Sequence, residues 1–270
     1  QFIIVFFCAM DFLTTEFERS FVSEPYINFI YKTWPFAVAA VIIYLQGIRY
    51  GTAYMAKVEK AYNLKYILAG WNATLSLFSF IGMCKTVPVV FSILMEHSYE
   101  SSVCSDGVST WRNGASGAWV FFFVLSKIPE LFDTMFIILR KKPLIFLHWY
   151  HHVTVLLFCW SAYATAAGSG LYFVAMNYSV HSIMYAYYCM QILQIVPKWF
   201  PTVIITVAQI AQMLIGTGVC ASCWYYVLSG RECHNDIKNL IAGAIMYGSY
   251  LYLFCEFFVN RYFKPKKDKS

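Results

Sequence analysis

The chain has 270 residues, of which 60% are apolar, 20% aromatic and only 13% charged. A soluble domain carries about 25% charged residues, so this composition excludes a water-soluble globular protein and indicates a polytopic helical membrane protein. The net charge of +6 does not indicate a nucleic-acid partner, because the basic residues are confined to short patches beside apolar runs, where they read as topology signals or anion-binding sites.

Residues 1–32 read as a lumenal N-terminal segment. Its first ten, Gln1 to Met10, are apolar but too short to span and lack a basic leader. They are expected at the membrane surface or disordered, with the remnant of a longer segment as the alternative. Seven apolar runs follow, at 33–50, 66–95, 117–139, 143–164, 170–195, 200–228 and 239–260. Each approaches the roughly 20 helical residues that a bilayer requires. They make one all-α, seven-helix transmembrane domain over residues 33–263, with six helices expected around a central tunnel. Residues 264–270 are a basic tail. Pro88 in the second run predicts a kink, a tilt or a protruding end.

Lys and Arg accumulate on the cytosolic side of membranes. With the N-terminus in the lumen, the cytosolic segments carry Arg49, Lys57, Lys60, Lys65, Arg140, Lys141, Lys142, Lys198, Arg261, Lys264, Lys266, Lys267 and Lys269. The lumenal segments carry only Arg19, Lys32, Arg112, Arg231 and Lys238. The N-terminus is therefore expected in the lumen and the tail in the cytosol. Of nine cysteines, seven lie in apolar segments, the N-terminal ten residues included; the other two, Cys104 and Cys233, fall in lumenal loops, where a disulfide persists. They are expected to pair. Cys220 and Cys223 form a CxxC without the surroundings of a redox motif, and read as packing residues. The sequons at Asn72 and Asn177 lie inside apolar runs and are not expected to be modified.

Polar residues within the runs point to chemistry, because an ionisable group at membrane depth usually lines a cavity or a reaction path. The third run holds Lys127, Glu130 and Asp133, whose spacing by three puts them on one helical face. A structural ion pair between Lys127 and Glu130 is one reading; Asp133, with no local partner, is read as orienting an imidazole. The fourth run carries His148, His151 and His152, neighbours on one face roughly 8–14 Å below the cytosolic boundary. Asn177, His181, Tyr185 and Tyr188 in the fifth run, and Thr206, Gln209 and Gln212 in the sixth, reach similar depth. Four polar stripes at one level predict a ring of helices around a polar chamber.

These residues resemble the four motifs of the very-long-chain fatty acid elongases, the ELO family. The matching stretches are Lys127-Ile-Pro-Glu130-Leu-Phe-Asp133-Thr134, the box His148-Trp-Tyr-His151-His152, Asn177-Tyr-Ser-Val-His181-Ser-Ile-Met184-Tyr185-Ala-Tyr187-Tyr188, and Thr206-Val-Ala-Gln209-Ile-Ala-Gln212. They occur in the family's order, and the resemblance covers roughly residues 30–265. Trp149 resembles the subgroup acting on saturated and monounsaturated chains.

The resemblance implies a multi-pass endoplasmic reticulum enzyme that condenses a long-chain acyl-CoA with malonyl-CoA, giving a 3-ketoacyl-CoA, carbon dioxide and CoA. It implies no metal and no cofactor, the CoA thioesters being substrates. His151 is then the nucleophile, with His148 and His152 fixing its tautomer or moving its proton and Asp133 orienting. His181 would act in the malonyl half-step, and Asn177 and Gln212 would donate to an enolate oxygen. Lys127, Glu130, Tyr185, Tyr188 and Gln209 join the substrate-binding set. Arg140, Lys141 and Lys142, with Arg261 and Lys264, are expected to meet the CoA phosphates at the cytosolic mouth, topology and anionic lipid being the competing explanation. Other enzymes of the elongation cycle are expected partners, and the oligomeric state is open, a homo-oligomer included. The tail resembles a dilysine retrieval signal with altered spacing. Two rival functions stand beside this one: a metal-dependent membrane oxidoreductase of the histidine-box type, and a non-enzymatic seven-helix transporter or receptor.

Overall fold

A backbone in hydrocarbon must satisfy its own amides, and every regular element among the described residues, 14–263 of a computed structural model, is helical. The expectations for Gln1–Met10 and for Lys264 and the basic tail lie outside the described residues. In chain order the helices are α1 (Glu16–Arg19), α2 (Glu24–Lys32), α3 (Trp34–Lys57), α4 (Lys65–Glu96), α5 (Tyr99–Cys104), α6 (Gly107–Thr110) and α7 (Gly114–Ser126). A 3-10 turn (Pro129–Leu131) leads into α8 (Phe132–Leu139), followed by α9 (Phe146–Ala164), α10 (Gly170–Leu193), α11 (Val203–Leu228) and α12 (Ile237–Tyr262).

Helices α3, α4, α11 and α12 are long and apolar enough to cross a membrane. Helices α9 and α10, at 19 and 24 residues, fall on the fourth and fifth apolar runs but carry the imidazoles, amides and phenols that lower their hydropathy. Helix α4 is continuous through Pro88. Its 32 residues make it about 48 Å long at 1.5 Å per residue, longer than a hydrocarbon core of roughly 30 Å.

The third run departs from the expected single helix. It is split into α7, of 13 residues, and α8, of 8, because Pro129 has no N–H to give and its ring obstructs the carbonyl of Leu125. Around it the amides of Lys127, Ile128 and Leu131 bond three residues back, to Val124, Leu125 and Ile128, at 3.4, 3.2 and 3.1 Å.

Two glycines permit the closest helix contacts. A Cβ on Gly82 of α4 would fall 2.4 Å from the Tyr178 ring of α10, and one on Gly216 of α11 would fall 2.4 Å from the Tyr247 ring of α12. Tyr178, thus seated, donates its hydroxyl to the Trp119 carbonyl at 2.9 Å. With Trp119, Leu156 and Trp160 it forms the main apolar core. Helix α3 lies against α8 and α9.

At one end of the bundle Cys104 and Cys233 are joined in a disulfide with an S–S distance of 2.03 Å. Asn235 beside it accepts from the Ser169 hydroxyl at 2.9 Å and donates to the Val103 carbonyl at 2.9 Å, tying α5, the start of α10 and the approach to α12 together. Cys220 and Cys223 are buried free thiols among apolar neighbours.

Candidate active site

Six of the seven apolar runs contribute to one cavity of about 390 Å³, the exception being α3. Leu68 and Asn72 come from α4, Asp133, Phe136 and Ile137 from α8, and His148, His151 and His152 from α9. Helix α10 adds Asn177, His181, Tyr185 and Tyr188, α11 adds Gln209, Gln212 and Met213, and α12 adds Phe254 and Phe257. The helical repeat explains the gathering: positions i, i+3 and i+4 face one way, so each box supplies several groups from one helix. The His148 and His152 rings lie 4.6 Å apart between centroids, and those of His151 and His152 lie 5.5 Å apart.

The four imidazoles are held differently. His148 Nε2 shares a hydrogen bond of 3.0 Å with the Thr134 hydroxyl, which is itself 2.7 Å from the Tyr44 hydroxyl. His181 Nε2 lies 3.2 Å from Asn177 Nδ2. His152 is buried against its neighbours, and its ring lacks a hydrogen-bond partner among the described residues. His151 is more open and equally without one; its ring lies 5.1 Å from that of Tyr250, tilted by 42°, and faces the cavity.

The third run contributes less directly than its spacing suggested. Lys127 and Glu130 form a buried ion pair of 2.6 Å and do not line the cavity. In a 3-10 turn, residues three apart eclipse one another, which brings this pair together while α8 turns Asp133 elsewhere. Ser126 also donates to Glu130, at 2.9 Å, and Lys127 reaches Asn177 Oδ1 at 3.4 Å. Lys127 thus supports an amide of the cavity wall from behind. Asp133 does line the cavity, but the expectation that it orients an imidazole is corrected: Trp71 Nε1 donates to one oxygen at 2.6 Å and the Tyr185 hydroxyl to the other at 2.7 Å. The imidazole is oriented by the next residue, Thr134.

The basic mouth divides in the same way. Arg140 and Lys142 line the cavity. Lys141 instead donates to the Val58 and Glu59 carbonyls, clamping the α3–α4 connection. Its backbone explains this: Lys141 has φ of +52°, and the amides of Lys141 and Lys142 cap Ile138 and Ile137 at 2.9 and 3.0 Å, closing α8 in a Schellman turn that throws the two lysines apart. Arg261 is exposed and away from the cavity lining, so it joins Lys141 as a residue the structure separates from the site. Gln209 Nε2 contacts the Met184 sulfur at 3.3 Å, and the Thr206 hydroxyl lies 3.5 Å from that of Tyr262.

Sequence reasoning missed Tyr44 and Trp71, which bind Thr134 and Asp133 from helices without a motif. The available signal was a hydroxyl and an indole N–H inside apolar helices, each needing a partner. A second, apolar cavity of about 60 Å³ shares Asn177 with the first and runs among Phe158, Cys159, Phe173, Tyr163 and Arg112. Among the described residues, no group of three or more His, Cys, Asp or Glu side chains is arranged to hold a metal ion.

Comparison with known proteins adds independent findings. The profile of the ELO (GNS1/SUR4) family matches residues 29–270. The chain is 39% identical over 249 residues to human very long chain fatty acid elongase 6, covering 92% of each chain. It is 37% identical over 257 residues to the elongase 6 of Drosophila melanogaster, covering 94% of this chain and 81% of the relative. It is also 37% identical over 290 residues to fatty acid elongase 3 of Trypanosoma brucei brucei, covering 97% and 94%.

Proposed function

This chain belongs to the ELO (GNS1/SUR4) family, and we propose that it is a 3-ketoacyl-CoA synthase, an acyltransferase that condenses a long-chain acyl-CoA with malonyl-CoA in fatty acid elongation. The carrying observation is the contrast among the imidazoles: His148 and His181 are engaged by Thr134 and Asn177, whereas the His151 ring faces the cavity without a hydrogen bond to a described residue.

In this reading a lone pair of the neutral His151 imidazole attacks the acyl thioester carbonyl. The C–S bond breaks, CoA leaves as thiolate, and an acyl-imidazole remains, cationic because its other ring nitrogen keeps its proton. Malonyl-CoA then loses carbon dioxide, and the electron pair of the broken C–C bond becomes an enolate. Its carbon attacks the acyl-imidazole carbonyl, forming the new C–C bond and releasing the imidazole. Asn177 and Gln212 are the donors within the cavity suited to the developing enolate oxygen. The apolar walls and the adjoining 60 Å³ space suit a hydrocarbon tail, and a dry site protects the acyl-imidazole from hydrolysis. Arg140 and Lys142 are the cations suited to CoA phosphates.

The same reading counts all seven runs as spans in the endoplasmic reticulum membrane, with the N-terminus lumenal and the tail cytosolic. Its support is the charge bias, the disulfide at the end of the bundle opposite Arg140 and Lys142, and the six runs meeting at one cavity. Incubation with long-chain acyl-CoA alone, followed by mass-spectrometric mapping, tests the chemistry. An acyl adduct on His151, absent from the His151→Ala variant, is expected; full condensation activity in that variant refutes the assignment.

A further inference from the structure

We propose that Tyr44 is a positioning residue for the histidine box, acting through Thr134 to fix the tautomer and orientation of His148. The inference rests on the reading of that box as the reaction centre. It concerns a residue outside all four motifs, on α3, the apolar run that lines none of the cavity.

The geometry is a three-member chain. The Tyr44 hydroxyl is 2.7 Å from Thr134 Oγ1, and Thr134 Oγ1 is 3.0 Å from His148 Nε2. Tyr44 is 7% exposed and Thr134 fully buried, so neither hydroxyl exchanges this partner for bulk water. Thr134 has one proton to place, which leaves two arrangements. In the first, Tyr44 donates to Thr134, Thr134 donates to His148 Nε2, and the imidazole proton sits on Nδ1. In the second, Nε2 carries the proton and donates to Thr134, which donates to the phenol.

The second arrangement fails at Tyr44. The Tyr44 hydroxyl has no further hydrogen-bond partner among the described residues, so its own proton would be left as a buried donor without an acceptor. The first arrangement gives both hydroxyl protons an acceptor. Tyr44 therefore sets the direction of the whole chain and the tautomer at its far end. The His148 ring, 4.6 Å from that of His152 and one helical turn from His151, is then held with its Nε2 occupied, so that its edge toward Thr134 cannot compete for the thioester. The packing of α3 against α8 and α9 keeps the phenol in reach.

Turnover of Tyr44→Phe, Thr134→Val, Thr134→Ser, the Tyr44→Phe/Thr134→Val double variant and His148→Ala, compared at matched amounts of folded protein, tests this. Tyr44→Phe is expected to lower kcat about 10-fold and Thr134→Val about 100-fold, with KM for acyl-CoA unchanged, because the chain acts on the reacting group and not on binding. Thr134→Ser, which keeps the hydroxyl, is expected to recover most of the turnover. The double variant is expected to be no slower than Thr134→Val, because one chain cannot be cut twice. Wild-type kcat in Tyr44→Phe and Thr134→Val, or additive losses in the double variant, overturns the inference if His148→Ala is inactive. Full activity in His148→Ala overturns the reading of the box itself.

Discussion

The two ends of the helical bundle treat their polar residues in opposite ways. At the disulfide end most are tied off against side chains or backbone carbonyls, Arg112 Nε and the Tyr163 hydroxyl being the exceptions among the described residues. The Glu18 carboxylate accepts from Trp119 Nε1 at 2.5 Å and from the Thr15 amide at 2.6 Å. Burial pushes the Glu18 carboxyl up, but these bonds outweigh it and leave it below its ordinary value. Buried Arg112 donates to the Tyr163 and Ala162 carbonyls at 3.2 and 3.4 Å, and burial pushes its guanidinium down to about 10, so it remains charged at neutral pH. At the cavity end, imidazoles and amides stand on a 390 Å³ space, and the His151 ring has no hydrogen-bond partner among the described residues. Polar groups in an apolar chain thus divide into those that build the scaffold and those that face the cavity. Access to the cavity separates the two where residue type does not.

The contrast can be broken most sharply at His151. His151→Ala is expected to lower condensation by at least about 1,000-fold, with a melting temperature near wild type; simultaneous assay of carbon dioxide release and thermal unfolding checks both halves. Cutting the opposite end should do the reverse. Cys104→Ser opens a link between residues 129 apart and is expected to cost about 2–4 kcal/mol of stability, with turnover per folded molecule retained; a lowered melting temperature without loss of kcat is the predicted signature.

Gly82→Ala drives a Cβ into the Tyr178 ring. It is expected to cost about 1–3 kcal/mol through overpacking, read as a fall in folded yield and melting temperature. At the basic mouth, Arg140→Ala is expected to raise KM for the CoA substrates about 10-fold. Lys141→Ala, removing a clamp on Val58 and Glu59, should change KM far less, and parallel titrations of the two variants check the division. The smallest effect expected is at Glu18. Its folded pKa is depressed, so the stability it contributes is present above the ordinary value of 4.5 and lost as pH falls. The melting temperature of the wild-type protein should therefore approach that of Glu18→Gln on acidification.

The apolar runs were legible because a bilayer demands length and hydropathy together. The second run, 66–95, became Lys65–Glu96, and the fifth, 170–195, became Gly170–Leu193. The histidine cavity was legible because i, i+3 and i+4 spacing is a local property of one helix. Partnerships between helices were not. Asp133 binds Trp71 and Tyr185, Thr134 binds Tyr44, and Lys141 binds a loop 83 residues away. Each depends on the rotation of one helix against another, which no spacing within a single segment encodes. The break in the third run was signalled by Pro129 but went unread, and with it the divergence of Lys127 and Glu130 from Asp133.

That break works as a phase shifter. Three residues in 3-10 geometry advance the chain by about 360°, where an α-helix would advance it by about 300°. The segment beyond Pro129 is dialled round by roughly 60° relative to a straight continuation. The dial setting lets one span aim a carboxylate toward one neighbour and a hydroxyl toward another. A substitution that straightened the segment would mis-aim both without altering any reacting atom.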